Sequence, residues 1–534
     1  MKRLVAMLLA VVMLCGVLSA CGSKPAASAA PAAPAGDAPA LPAGTSVAPS
    51  ATPTGRTDVN VSINQAWTTC DPHGTTYVQD RIILWQIYEG LLHYNELTGK
   101  AEPHLAESYT VNEAGDVYTF KLREDVYFHN GDQMKASDAA FSIMRAADPN
   151  NPISMYGTNI KDAKAIDDFT LEVTLASSYA PFIANACQLF IVSEREVTEK
   201  GDKFGVEIST AGTGPYMIAE MDNDQKIVLK AFDKYYKGKA PIETVNFYIV
   251  TDSAAGMVSF ESGDLDWYNC TVTDYLRLQG EGKFNTEATV ANHMTFVAIN
   301  PNSKNEALHK EEVRKAIAYA INKQEMNYAA FDGYAKEADY LESPDMNVGA
   351  PKGDVVYNYN PEKVKEMLAA AGYPDGVDVG KIMSFTGSHF EVCATVLQAQ
   401  LEAVGIHAEL EWVEQATGLD RGKKFDYDIY VTGGNCSGDY DNLRKRFYTP
   451  LATEFVDFTV SEYDYKWLDN AIDVASSTAD PAKRLELNKE INDYFMNTAT
   501  YLPLLHKCVP FAWNPNLNVV NRPVNPIIYD WSWN

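Results

Sequence analysis

Histidines, cysteines and carboxylates are the residues with which this chain of 534 residues could do chemistry. Its nine histidines are His73, His93, His104, His129, His293, His309, His389, His407 and His506. No two of them stand at metal-ligand helical spacing, so the sequence offers no metal site. No HExxH, GxSxG, P-loop or EF-hand pattern is present. The segment GTGPY, Gly212 to Tyr216, lacks the third glycine of a dinucleotide fingerprint and reads as a loop or a crossing between domains. With 71 acidic residues, no carboxylate pair singles itself out as a glycosidase dyad. Catalytic groups far apart in sequence would escape such a search. The search thus turns up no cofactor motif and no metal site, and an exported hydrolase stays an alternative.

The ends say where such a protein would work. Lys2 and Arg3 precede an apolar run from Leu4 to Leu14, and Leu18-Ser19-Ala20-Cys21 follows. Charge, apolar run and small-residue exit read as a signal peptide over residues 1–20. The exit resembles the lipobox of bacterial lipoproteins, which makes Cys21 the expected lipidation site. Residues 21–56 carry seven prolines after Lys24 and no aromatic residue, so they are expected to form a disordered tether. No later stretch is long and apolar enough to span a bilayer, which leaves the lipid as the expected anchor. The chain holds 44 basic against 71 acidic residues, a net charge of −27. That charge argues against nucleic acid and against docking on anionic lipid. Cys70, Cys187, Cys270, Cys393, Cys436 and Cys508 form no CxxC pair; disulfides and buried thiols both fit an exported chain.

The body from Thr57 alternates strands and helices. In YTFKLREDVYFHNGDQMKASDAAFS, Tyr118, Phe120 and Leu122 alternate with polar residues as in a half-buried strand. His129 to Asp132 then reads as a turn, and Ser137 as the cap of a helix. The helical pattern YVQDRIILWQIYEGLLHYN is closed by Gly90. Further helices are expected from Asp252 or Ser253 to near Gly263, over KEEVRKAIAYAINKQ, and from the Asn360 cap to Gly372. KIMSF, HFEVCATVLQAQLEAVG and IHAELEWV read as strand, helix and strand. Such units build mixed α/β domains with helices covering sheets.

Several segments, taken in order, resemble one family. IYEGLLHYNELTGKAEPHLAESYTVNEAGDVYTFKLREDVYFHNGDQMKASDAAFS is similar to the signature region of the solute-binding proteins of the peptide/nickel type (family 5, cluster C) that serve ABC importers. GTGPY, FESGDLDWY, the segment from AINPNS to NKQEM, NPEKVKEMLAAAGYPDG and YLPLLH resemble later motifs of that family. The resemblance covers nearly all of Thr57 to Asn534. It implies an α/β fold of the type II periplasmic-binding-protein kind, a three-domain, two-lobed receptor with mixed sheets and a hinge. Domain I would combine 57–92, 210–292 and 506–534; domain II would be 93–209 and domain III 293–505. The ligand would lie between domains I and III, trapped by hinge closure.

The resemblance also implies site residues. Asp439 is the nearest match to an aspartate that holds a peptide's amino group, with Asp441 as the fallback. The family's Trp and Pro around that position are absent; Gly434, Asn435, Cys436 and Asn442 stand there instead. Tyr268 and Asn269 match a pair that lines the cleft, with Trp267 beside them. Thr75, Thr76 and Tyr77 fall in a loop that edges the ligand, and Trp412 where some members place an aromatic wall. For these, core packing and ligand contact both remain open. The expected function is capture of a small solute, foremost a short peptide, by a monomeric receptor for an ABC permease and its ATPase subunits. Nickel, haem or an oligosaccharide are the alternatives on the same fold, and a signalling receptor is a further one.

Overall fold

Val59, Val61 and Ile63 on one face of a six-residue run make a strand that must be covered, and its neighbours repeat the pattern. The computed structural model describes residues 46–47, 55–95, 100–222, 224–343, 350–435, 439–448, 465–520 and 526–534. The expected signal peptide, Cys21, most of the tether and Cys436 lie outside the described residues.

One sheet runs through the structure. Its strands are β1 (Asp58–Ile63), β2 (Tyr216–Asp222), β3 (Lys226–Ala231), β4 (Thr244–Ile249), β5 (Trp267–Asn269), β6 (Asn285–Ile299), β7 (Val377–Phe385), β8 (Ile406–Val413), β9 (Ile429–Asn435) and β10 (Tyr501–Trp513). Their order is β8-β7-β9-β6-β10-β5-β1-β4-β3-β2, with Lys336–Glu337 paired to β10. A separate four-stranded antiparallel sheet orders Ala106–Val111, Val117–Leu122, Thr170–Leu175 and Ile160–Asp167. No described helix is long and apolar enough to cross a membrane.

Three main apolar cores divide this framework. The first gathers Val59, Val61, Ile87, Phe247, Trp267 and Trp531 around β1–β5. The second gathers Phe120, Leu122, Phe128, Ile143 and Phe182 around the four-stranded sheet. The third gathers Phe296, Ile317, Ile382, Leu397, Tyr430 and Phe495 around β7–β9. Phe190, Val192, Val197 and Phe204, expected with the second domain, pack into the first core instead. We call the surroundings of these cores the first, second and third regions.

The sequence stretch from Tyr118 to Ser142 folds largely as its pattern dictates. Tyr118, Phe120 and Leu122 are buried on a strand, and Val126 and Phe128 continue into the second core. Ser137 is not the helix cap. The helix runs Ala136–Ala146, and Asp138 caps it by accepting the Lys135 amide at 3.0 Å, which puts Ser137 inside the first turn. The helix Val78–Ile87 also stops short of Gly90. The Gly214 amide donates to the carbonyl of Ile87 at 2.8 Å, and the chain leaves in extended conformation at Tyr88. Asp252 caps Ser253–Ser262, and Asn360 with Pro361 starts Pro361–Ala370, as their types predict.

That early stop places Glu89 at a junction. Its carboxylate, buried between the first and second regions, accepts from Thr213 at 2.9 Å and Tyr235 at 2.7 Å and pairs with His104 at 3.0 Å. Burial alone would raise its pKa, but the charge and hydrogen bond of His104 hold it below the usual carboxylate range. Beside it, His129 donates through Nε2 to the Gly214 carbonyl at 2.9 Å. A Cβ at Gly212 would meet the Ile87 carbonyl oxygen at 2.2 Å, so only glycine permits this approach. Arg145 of the second region adds a bond to Asp71 at 2.9 Å, and its guanidinium contacts His73, which is held by the Phe190 carbonyl.

Candidate ligand-binding site

The sheet topology fixes where a ligand can sit. β1, β4 and β5 are parallel, and β6 runs in their direction because both pair antiparallel with β10. β6 therefore leaves the first region at the carboxyl end of β5 and enters the third. There β9 pairs antiparallel to β6, and β7 and β8 run parallel to β9, back toward the first region. The carboxyl ends of both strand sets thus face each other across the two crossing strands. In open α/β sheets that edge is where ligands bind.

Register gives the size of this gap. Asn269 ends β5 level with Phe511, whose partner on β6 is Glu287. Asn435 ends β9 opposite His293. The six steps between Glu287 and His293 span at most about 20 Å at ~3.3 Å each. Within them lies a register break: Val290 pairs with Cys508 and Met294 with His506, four residues on β6 against two on β10. Such a bulge bends a strand, and among the described strands only β6 and β10 link the two halves of the sheet here.

The residues expected to line the site separate into two groups. Asn269 is exposed at the carboxyl end of β5. Thr76 and Tyr77 are exposed on the loop that follows β1, with Tyr77 at 64% exposure. Trp412, 37% exposed, stands one residue before the carboxyl end of β8. Asn435 ends β9 at the same edge. These five sit on the facing edges or the loops beyond them.

Three others do not. Trp267 is buried in the first core, 4.9 Å from Phe511 ring to ring. Tyr268 is buried against Phe260, and its hydroxyl donates to the Ser253 carbonyl at 2.9 Å. Alternation on a strand covered on both faces buries both, so neither side chain lines the gap. Asp439 is not free to meet a ligand's ammonium. Both its oxygens are engaged by Arg484, one at 2.8 Å, and it also accepts the Asp441 amide at 2.8 Å. A carboxylate this deep needs a cation, and Arg484 supplies it. The fallback, Asp441, is likewise engaged by Arg444, Ser476 and Tyr179.

That last contact crosses the mouth of the gap. The Tyr179 hydroxyl, from the second region, donates to Asp441 of the third at 2.6 Å. The Ala180 amide donates to the Ser476 carbonyl at 2.6 Å, and the Ser178 hydroxyl to the Ser477 carbonyl at 3.3 Å. These three hydrogen bonds tie the second region to the third.

Sequence spacing missed a cluster at the crossing. His293 on β6 and His389, first residue of the helix His389–Ala403 after β7, stand 6.2 Å apart ring to ring. His506 lies on β10 beside them. Burial lowers the pKa of His293 and His389 to about 4, with Lys507 adding to the effect on both and Arg446 on His293. Burial does the same for His506, assisted by Lys336. His389 lies 96 positions after His293, so no motif could have joined them. The only legible signal was the place of His389 just after a strand's carboxyl end. The described cysteines are all unpaired, and four of the five are buried, so they are packed thiols.

The model of the bacterial extracellular solute-binding proteins, family 5 (middle region) matches residues 100–454. The chain belongs to this family. A family 5 protein is an extracytoplasmic receptor of an ABC importer, which captures a small solute and presents it to a membrane permease, and so does this chain. It is 25% identical over 477 residues to the glutathione-binding protein GsiB of Salmonella paratyphi A, across 86% of this chain and 91% of that protein. Its fold matches that of HbpA2 from Haemophilus parasuis with a TM-score of 0.79 at 23% identity, covering 89% of this chain and 100% of that one. The ABC transporter substrate-binding protein CtaP of Listeria monocytogenes matches with 0.78 at 21%, covering 90% and 99%. The fold is thus the two-lobed α/β fold of type II periplasmic binding proteins.

Proposed function

We propose that this family 5 receptor captures a short peptide between the first and third regions and closes on it by bending at β6 and β10. The observation that carries the site is topological: two sets of strand carboxyl ends face each other over a gap about 20 Å long, bridged by those two strands. A peptide suits it because exposed strand ends can pair with an extended main chain whatever its side chains. GsiB, named for binding glutathione, is a relative over most of both chains. Asn269, Asn435, Thr76, Tyr77 and Trp412 are the side chains we assign to the ligand.

The three cores then act as three domains, with the first and second moving together as one lobe. Cys21 carries the lipid, residues 21–56 form the tether, and the folded body works as a monomer without catalysis. A thermal-shift screen of short peptides, oligosaccharides and nickel tests the ligand, with native mass spectrometry of the purified protein. Peptides are expected to raise the melting temperature by mass action. A rise with a sugar or nickel and none with any peptide overturns the peptide reading. Turnover of a bound peptide overturns the claim that the protein is no enzyme.

A further inference from the structure

The cleft has a cationic inner end in a chain whose net charge is −27. Lys507 lies on β10 between His506 and Cys508, and so stands opposite residues 291–293 of the β6 bulge. Alternation puts Lys507 on the face opposite His506, and His293 on the face opposite Met294; since Met294 and His506 are partners, Lys507 and His293 share a face. Lys507 is exposed, and its ammonium has no ion-pair partner among the described residues. The ring of Phe390 packs 4.0 Å from His389, and Gly433 leaves room for both His293 and Phe390, which a Cβ would meet at 2.4 and 2.7 Å. Nε2 of His389 is buried with no hydrogen-bond partner among the described residues.

Two other charged groups nearby have partners. Arg446 is paired with buried Glu342 at 3.1 Å. Glu391, the acidic residue of the first turn of His389–Ala403, folds back to accept the Gly387 amide at 2.6 Å. Ser388 makes no side-chain cap, and His389 is the first residue of the helix, so its imidazole stands at the helix start.

We propose that Lys507, His293 and His389 form a carboxylate-binding subsite at the hinge end of the cleft, which takes a carboxylate of the bound solute. One unpaired ammonium matches a single negative charge. Two neutral imidazoles supply N–H donors, and the helix start adds a partial positive charge. A dianionic phosphate would find one full positive charge and a strongly negative protein around it, so a carboxylate is the better fit. The subsite also gives a reason for the place of these residues: an anion here touches β6, β10 and the third region together, so it bridges the parts that move.

This subsite rests on the reading of the cleft as the ligand site, and the test separates the two. Calorimetric titration with trialanine and tetra-alanine, each as free acid and as C-terminal amide, is run on the wild type, Lys507→Gln and His389→Gln. The free acids are expected to bind at least tenfold more tightly than the amides in the wild type, and each variant is expected to bring that ratio below threefold. Lys507 is exposed, so its variant keeps the ligand-free melting temperature and a lost ratio is not a folding defect. An equal affinity for acid and amide in the wild type, or a ratio unchanged in both variants, overturns the subsite. If no peptide binds in either form, the peptide reading fails and succinate is titrated instead. Succinate binding that Lys507→Gln abolishes upholds the subsite, and no binding of succinate overturns it.

Discussion

The first region meets its two neighbours in opposite ways. Against the second region it presents a buried polar junction, in which Glu89 holds Thr213, Tyr235 and His104 while Arg145 holds Asp71. Toward the third region it sends two long strands with a bulge, and at the mouth the second region adds hydrogen bonds from Ser178, Tyr179 and Ala180. A buried polar network holds one geometry, because each lost partner leaves a desolvated polar group. Two strands and a few hydrogen bonds permit two geometries of similar energy. The comparison teaches which joint is fixed and which one bends.

The largest effect is expected at the fixed joint. Glu89→Ala leaves His104, Tyr235 and Thr213 without their shared acceptor and should cost about 3–5 kcal/mol in denaturant unfolding. A loss under about 1 kcal/mol would mean that the first and second regions are not stapled there. Asp439→Ala strands Arg484 inside the third region and should cost a similar 3–5 kcal/mol. Because that pair is internal, binding of N-acetylated and free peptides should change by the same factor. A selective loss for the free amino terminus would return Asp439 to the ligand.

Acid should act on both joints, but a ligand should protect only one. His73 and His129 at the fixed joint, and His293, His389 and His506 at the crossing, all have pKa values lowered to about 4, chiefly by burial. Asp71, Arg145 and Arg81 face His73, and Glu89 and Glu196 face His129. Lys507 and Arg446 act at His293, Lys507 at His389, and Lys336 and Lys323 at His506. An unfolded histidine takes up its proton near pH 6.5, before the folded one, so ligand-free stability should fall as the pH drops from about 6.5 to 4 and be level above. A bound carboxylate favours the charged imidazoles at the crossing, so a free-acid peptide should bind more tightly at pH 5.5 than at 7.5. Melting curves and titrations at the two pH values check both signs. The smallest effect is expected at the mouth. Tyr179→Phe removes one hydrogen bond between the second and third regions and should weaken binding by roughly three- to tenfold, about 0.5–1.5 kcal/mol. The melting temperature without ligand should stay within a degree or two.

The two joints were not equally legible in the sequence. The segments that identify the family, from Glu89 through His129 to Gly214, build the fixed joint, where packing admits few residue types. Gly212 cannot carry a Cβ against Ile87, and such constraints leave a pattern in the chain. Strand alternation and capping residues likewise gave most elements, down to Asp252 and Asn360. The apolar spacing of the helix before Glu89 continues past Ile87, so the sequence predicts a longer helix than the structure has. At its end the Ile87 carbonyl is taken by the Gly214 amide, which is distant in sequence. The cleft was less legible. Its edges are made by residues at strand ends brought together from across the chain, and aromatics such as Trp267 and Tyr268 look alike in a core and in a pocket. Asp439 resembled a ligand anchor, but its partner Arg484 lies 45 residues on in a helix that no local pattern connects to it.

Amide hydrogen exchange, compared without ligand and with a peptide that raises the melting temperature, tests the hinge most directly. Protection should rise at residues 288–294 and 506–510 and at the mouth, 178–180 with 476–477. It should stay the same around Glu89, Gly212 and His129. Equal protection at both joints, or a gain confined to the Glu89 junction, would contradict a receptor that closes by bending at β6 and β10.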